Sequence, residues 1–134
     1  MLNRLKNLAE QHRTFAFEST LAARSYVHWI DDLSHNGYSF QLMFLWLRSA
    51  DLAVERVRER VRTGGHNVAE EVIRRRYDAG LRNFWTLYQP LADAWSVYDN
   101  SESAKSLPIA SGGKKEPFLA RDQGEWADFL TTRP

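Results

Sequence analysis

The chain contains no cysteine. That removes disulfide frameworks and thiolate metal sites, and it suits a cytoplasmic protein. No apolar run is long enough to span a bilayer, and no charged-then-apolar leader opens the sequence, so neither a membrane anchor nor export is expected. Net charge is also scarce: 18 basic residues against 17 acidic ones leave +1, which gives no whole-molecule attraction to nucleic acid. The basic segments lack aromatic interleaving and any nucleic-acid motif, so that class is set aside. Lysine is rare beside arginine, four against fourteen. The planar guanidinium fork suits carboxylate or phosphate oxygens, although an arginine-rich codon bias produces the same count.

What remains is one domain of 134 residues, with 43% hydrophobic and 13% aromatic residues, enough to exclude disorder and build a modest core. Leu2, Leu5 and Leu8 predict a helix at the start. Alternation in RTFAF predicts a strand over Arg13–Phe17, and Ser19 or Thr20 a cap for a helix ending near His35 before Gly37. The apolar stretch Tyr38–Leu47 predicts a strand covered on both faces, as in a parallel sheet. Val54, Val57 and Val61 mark a helix after Ser49; Ile73, Tyr77, Leu81, Phe84 and Tyr88 mark another beyond Gly64-Gly65. AWSVYDN and LPIAS predict strands separated by a polar loop over Ser101–Ser106, and Glu125–Leu130 a last short helix. SGGKKEP reads as a flexible basic turn. Alternating strands and helices imply an α/β fold with ligands beyond the carboxyl ends of the strands.

The arginines can be sorted by helical pairing. Glu55 can meet Arg58, Glu59 Arg62, Glu70 Arg74, and Glu71 Arg75. Arg56 has only the reversed option of Glu59, and Arg60 and Arg76 have no carboxylate at helical spacing. Both readings stay open here: a solvated helix face, or a shared anionic ligand. His28, Asp31 and Asp32 have metal-compatible spacing, but no further ligand is identifiable, so no metal site is assigned.

FAFESTLAARSY, the segment from GYSFQLMFLWL through RVRTGGH to RRRYDAGLRNF, and WSVYDNS together resemble the zeta toxin family of P-loop kinases, over residues 10–101. The resemblance implies a P-loop NTPase-like, three-layer parallel sheet with helices on both faces. It implies transfer of phosphoryl from ATP with Mg²⁺ to a UDP-N-acetylamino sugar such as UDP-N-acetylglucosamine, and restraint by an antitoxin. On this likeness residues 50–88 form a lid hinged at Gly64 and Gly65, while residues 102–134 are a variable tail. Arg56, Arg60 and Arg76 match the arginines that hold nucleotide phosphates, with Asn100 and Ser101 near adenine. Glu18 and Thr20 match the sugar-nucleotide side. His66 is read as closing the turn rather than acting as a base.

One part of the pattern is missing. A P-loop kinase needs G-x-x-x-x-G-K-[ST] after its first strand, and no such run occurs in this sequence. In the family the loop, its strand and the catalytic base precede the segment like FAFEST, so the likeness implies the C-terminal two-thirds of a kinase domain and leaves the catalytic residues unassigned. Three partners follow as expectations: a chain carrying the P-loop, an antitoxin, or a second copy covering the apolar edge that the first strand would otherwise fill. The alternative is a non-catalytic remnant that binds a nucleotide or a protein.

Overall fold

A computed structural model describes residues 2–102 and 105–134. Helix α1 spans Leu2–Glu10 and α2 Tyr26–His35; strand β1 spans Gln41–Trp46. Helices α3 (Ala50–Arg62) and α4 (Glu70–Asn83) follow, and α4 continues into a π-helical turn, Phe84–Tyr88, and a 3₁₀ turn, Gln89–Leu91. Strands β2 (Ala94–Glu102), β3 (Lys105–Gly112) and β4 (Leu119–Ala120) lead to helix α5, Gln123–Leu130. The fold is α/β, and the sheet has the order β1-β2-β3-β4. Only β1 and β2 are parallel; β3 and β4 add antiparallel, so the sheet is mixed where a parallel one was expected.

Several local expectations change for identifiable reasons. Arg13–Phe17 is extended but joins no ladder. Its aromatics pack on α2 and its end: Phe15 stacks on Trp29 at 5.7 Å, and Phe17 lies 5.2 Å from Tyr26. The alternation that suggested a strand is therefore side-chain packing. Ser19 and Thr20 do not cap α2; their hydroxyls accept from the amides of Leu21 and Ala22, two residues on, and the helix begins later. The predicted polar loop is largely strand: β2 runs through Asn100 and Ser101 to Glu102, and β3 starts at Lys105. Ser103 and Ala104, within that loop, lie outside the described residues.

The core is aromatic. Phe84, Val97, Ile109 and Phe129 are fully buried, with Tyr88, Trp95 and Trp85 around them. Phe84 meets Phe44 at 4.7 Å and Phe129 at 5.6 Å, which joins β1, the π-helical turn and α5. The expectation that β1 is covered on both faces is corrected. Leu42 and Trp46 are buried, whereas Met43 is 64% and Leu45 50% exposed on the other face.

The amino ends of β1 and β2 are held by one clasp. Phe40 donates its amide to Asp93 Oδ2 at 2.8 Å, and its carbonyl accepts from the Asp93 amide at 2.9 Å. Lys115 Nζ stands 3.7 Å from the same carboxylate, which occupies one of the lysines of the basic turn. The Phe40 amide, aided by Lys115 and Lys114, holds the Asp93 carboxyl below its ordinary range. The unfolded chain therefore takes up this proton first. The stabilisation is complete above the ordinary carboxylate range and is lost as pH falls through the lowered value. Asp93→Ala should cost about 1–3 kcal/mol, because it orphans a sheltered amide. Asp93→Asn keeps an acceptor oxygen and should cost less, while its stability declines less steeply in acid than the parent's. Urea unfolding at neutral pH and through the acid range measures both effects.

Candidate functional site

The site is organised by three connections between elements distant in sequence. Ser49 caps α3 by accepting from the Leu52 amide at 3.1 Å, so α3 leaves directly from the carboxyl end of β1. Tyr77 of α4 donates its hydroxyl to the Leu47 carbonyl at 2.6 Å, which brings α4 to the same end. Burial pushes the Tyr77 phenol upward, so it remains a donor at neutral pH. Lower on α4, Gly80 passes so close to the loop after Phe17 that a Cβ would lie 2.4 Å from the Thr20 carbonyl oxygen. Asn83 then donates to the carbonyls of Leu21 and Ala22 at 2.8 and 3.2 Å.

These connections place Glu18 and Thr20 from the loop, Arg56 and Arg60 from α3 and Arg76 from α4 around one cavity of about 1720 Å³, which also borders Met43 and Leu45. Five of the residues singled out from sequence thus share a cavity. Asn100 and Ser101 do not line it. They contribute indirectly, because Arg56 Nη2 donates to their two carbonyls at 2.8 and 2.9 Å.

The arginines divide into two kinds. Arg58 reaches Glu70 at 3.8 Å, Arg62 pairs with Glu59, and Arg74 meets Asp51 at 2.6 Å and Glu70 at 2.9 Å. The expected Glu55–Arg58 and Glu71–Arg75 pairs do not form, because Arg58 turns across to α4 and Arg75 has no carboxylate within bridging distance among the described residues. Arg60 and Arg76 are likewise without a carboxylate among the described residues, and unlike Arg75 they line the cavity.

The glycine pair ends α3 in a Schellman cap. Gly64, at φ +97°, donates to the Val61 carbonyl at 3.1 Å, and Gly65 to the Arg60 carbonyl at 2.7 Å. A Cβ on Gly65 would stand 2.9 Å from that oxygen. His66 follows on the surface. His28, Asp31 and Asp32 are exposed along α2, and no three His, Asp or Glu side chains converge as a metal site among the described residues. No helix among them is long and apolar enough to cross a membrane.

The sequence marks polar residues at the carboxyl ends of β1 and β2, RSA and DNS, but not the cluster they form with α5. Arg48 Nε donates to Asp99 at 3.2 Å, Nη1 to Asp128 at 3.3 Å and Nη2 to Glu125, and the guanidinium lies 5.1 Å from the Trp46 ring centre. The Arg48 amide donates to Ser101 Oγ at 3.1 Å. Burial opposes ionisation of Asp99, but hydrogen bonds from Ser101 and Arg48 outweigh it and hold its carboxyl low. Glu125 is pushed up, chiefly by burial and also by neighbouring Asp99. The partners are 51 to 80 residues apart, so no local spacing could reveal them. Next to them the buried Trp46 indole N–H has no partner among the described residues.

Comparison with known proteins adds one relative. No protein-family model matches the chain, and no solved structure matches it. An uncharacterised protein of Haemophilus influenzae (strain ATCC 51907 / DSM 11121 / KW20 / Rd) is 31% identical over 68 residues, which is 51% of this chain and 49% of that protein. The chain thus spans about half the length of the curated relative it matches.

The two kinds of arginine should separate in unfolding experiments. Arg56→Ala removes a guanidinium that ties α3 to β2 and leaves two carbonyls unmatched, so it should cost about 1–3 kcal/mol. Arg60→Ala and Arg76→Ala should each stay within about 0.5 kcal/mol of the parent. Urea unfolding of the three variants gives the comparison.

Proposed function

We propose that this chain is the C-terminal part of a zeta-toxin-like ATP-dependent kinase for a UDP-N-acetylamino sugar, inactive until a P-loop is supplied. The observation that supports this reading is the pair Arg60 and Arg76. They come from two helices, line the cavity that Glu18 and Thr20 also line, and have no carboxylate partner among the described residues. Guanidinium groups without protein anions suit phosphate oxygens, to which they can donate in a charge-assisted, bidentate manner. ATP would supply the transferable phosphoryl group. Arg60 and Arg76 would hold and orient its oxygens, and Arg56, fixed against Asn100 and Ser101, would support α3 beneath them. Glu18 and Thr20 would accept and donate hydrogen bonds to the sugar nucleotide. Stabilisation of charge and exclusion of water are what such a clamp contributes to phosphoryl transfer.

These residues account for only part of an ATP and Mg²⁺ site. The backbone cradle and lysine of a P-loop have no counterpart in the sequence, and no carboxylate in the cavity is assigned to the metal. This reading therefore requires a P-loop segment, whether from the same polypeptide or from a second chain, in the cytoplasm, with an antitoxin as a further partner. A second reading, a non-catalytic nucleotide- or protein-binding remnant, is favoured by Arg56, whose Nη2 is already committed to two carbonyls of β2.

Pyrophosphate and ATP should bind the isolated chain weakly, and less so as salt increases. Arg60→Ala and Arg76→Ala should each reduce that binding more than Arg58→Ala or Arg75→Ala; calorimetric titration makes the comparison. Equal losses from all four would return the arginines to a solvated face. The chain incubated with ATP, Mg²⁺ and UDP-N-acetylglucosamine should yield no phosphorylated sugar nucleotide. Turnover at about 1 s⁻¹ or faster would overturn the assignment of the missing phosphate loop.

A further inference from the structure

We propose that a second cavity, near the start of β2 and the end of β3, binds a small planar aromatic molecule that bears a carboxylate or phosphate. Three tryptophans and Phe118 take the ring, and Lys114 and Arg133 take the anion. The cavity measures about 470 Å³, within the roughly 300–1,000 Å³ usual for small ligands. Trp85 of the π-helical turn, Trp95 of β2, Phe118 between β3 and β4, and Trp126 of α5 border it. Trp95 and Trp126 stack at 5.9 Å, Phe118 tilts against Trp126 at 5.2 Å, and Trp85 lies 6.0 Å from Trp126. Rings at such separations attract one another beyond simple burial, so an entering ring would extend the series. One member is left open to it, since Phe118 is 55% exposed. Trp95, Gly112 and Glu116 also border the larger cavity, but Arg60 and Arg76 do not border this one.

One wall is the basic turn SGGKKEP, which is fixed where its composition suggested flexibility. Lys114 and Lys115 donate their amides to the Ala92 and Asp93 carbonyls at 3.2 and 3.1 Å. Gly113, at φ +147°, lies so close that a Cβ would stand 2.2 Å from the Asp93 carbonyl oxygen. A Cβ on Gly112 would stand 2.9 Å from Cζ2 of Trp95 and 3.2 Å from Cε2, the ring carbon bonded to the indole nitrogen. Trp95 is only 7% exposed, and its N–H has no acceptor among the described residues. Trp85, by contrast, donates to Thr132 Oγ1 at 3.0 Å. The cations divide in the same way. Lys115 is engaged by Asp93, whereas Lys114 and Arg133 bridge no carboxylate among the described residues and border the cavity. The Arg133 guanidinium lies 5.4 Å from the Trp85 ring centre. Two cations therefore face one carboxylate, Glu116. That balance disfavours a cationic ligand. A bare anion would leave the indoles unmatched, and a neutral ring would leave the cations so. A ring with an acidic group satisfies both, through aromatic contacts and charge-assisted hydrogen bonds.

This site is independent of Arg60 and Arg76, so either can fail alone. The isotope-labelled whole chain is titrated with indoleacetate and, separately, with naphthyl phosphate. NMR follows the indole N–H signals of its five tryptophans. Indole serves as the neutral ring, and acetate and inorganic phosphate as the bare anions. At least one aromatic acid should shift the Trp95 and Trp126 signals saturably, and the tighter of the two identifies the acidic group. Trp29 and Trp46, which do not border the cavity, should change little. Indole and the bare anions should bind about tenfold more weakly or worse. Lys114→Ala and Arg133→Ala together should weaken the aromatic acid by about tenfold; both side chains are exposed, so the fold is not at risk. Phe118→Ala should weaken indole and the aromatic acid alike. Arg60→Ala combined with Arg76→Ala should leave the titration unchanged. The proposal is overturned if neither aromatic acid shifts the Trp95 and Trp126 signals at millimolar concentration, or if indole binds as tightly as the acids. It is also overturned if the Arg60→Ala, Arg76→Ala variant abolishes the shifts, since the ligand would then occupy the larger cavity.

Discussion

The clasp between Phe40 and Asp93 is the constraint on which the remaining geometry depends. A parallel pair has no hairpin to set its register, and here α3 and α4 both intervene between the strands. Fixing the amino ends places Trp46 opposite Asp99, so Arg48 arrives beside Asp99 and Ser101, and Arg56 one stretch later beside Asn100. A slip of one residue would exchange the two faces of β1, exposing Leu42 and Trp46 and turning Met43 and Leu45 inward. The aromatic core could not accept that exchange, because Phe44 and Trp46 meet Phe84 and Phe129 from one side only.

Much of the fold was legible in the sequence where periodicity is long. The α3 and α4 helices, β1, β2 and the final helix occur where their patterns place them. The spacing Leu81, Phe84, Tyr88 marked a buried line correctly, yet its backbone opens into a π-helical turn after Asn83. Apolar spacing records which residues go inward and says little about the hydrogen-bond ladder behind them. β4, only two residues long, has no period to detect. The apolar run of β1 predicted cover on two faces because hydrophobicity reports a tendency to be buried, whereas burial also requires a neighbour.

Legibility of the candidate site followed the range of each interaction. Arg60 and Arg76 could be picked out because helical pairing is a local rule, and neither has a carboxylate in reach. Arg75 shows the limit of that rule, since the available Glu71 is not engaged. Arg56 looked similarly unsatisfied, but its partners are carbonyls 44 and 45 residues away. Arg48 stood out in the sequence only as a polar residue at a strand end, and yet it carries the densest set of charged contacts at the carboxyl ends of β1 and β2. Tertiary partners of this kind become visible only once the strand register is known.

The cap at Gly64 and Gly65 also bears on how α3 and α4 behave together. Val54, Val57 and Ile73 form a small core of their own with Ala53 and Val68, separate from the main one. With the turn locked by two backbone hydrogen bonds and the helices joined by this core, the hairpin has little internal slack. Arg60 and Arg76 are then carried on a single stiff body and keep their spacing. If the two hold one anion, as proposed above, they would be the jaws of a fixed caliper that gauges its length instead of adjusting to it.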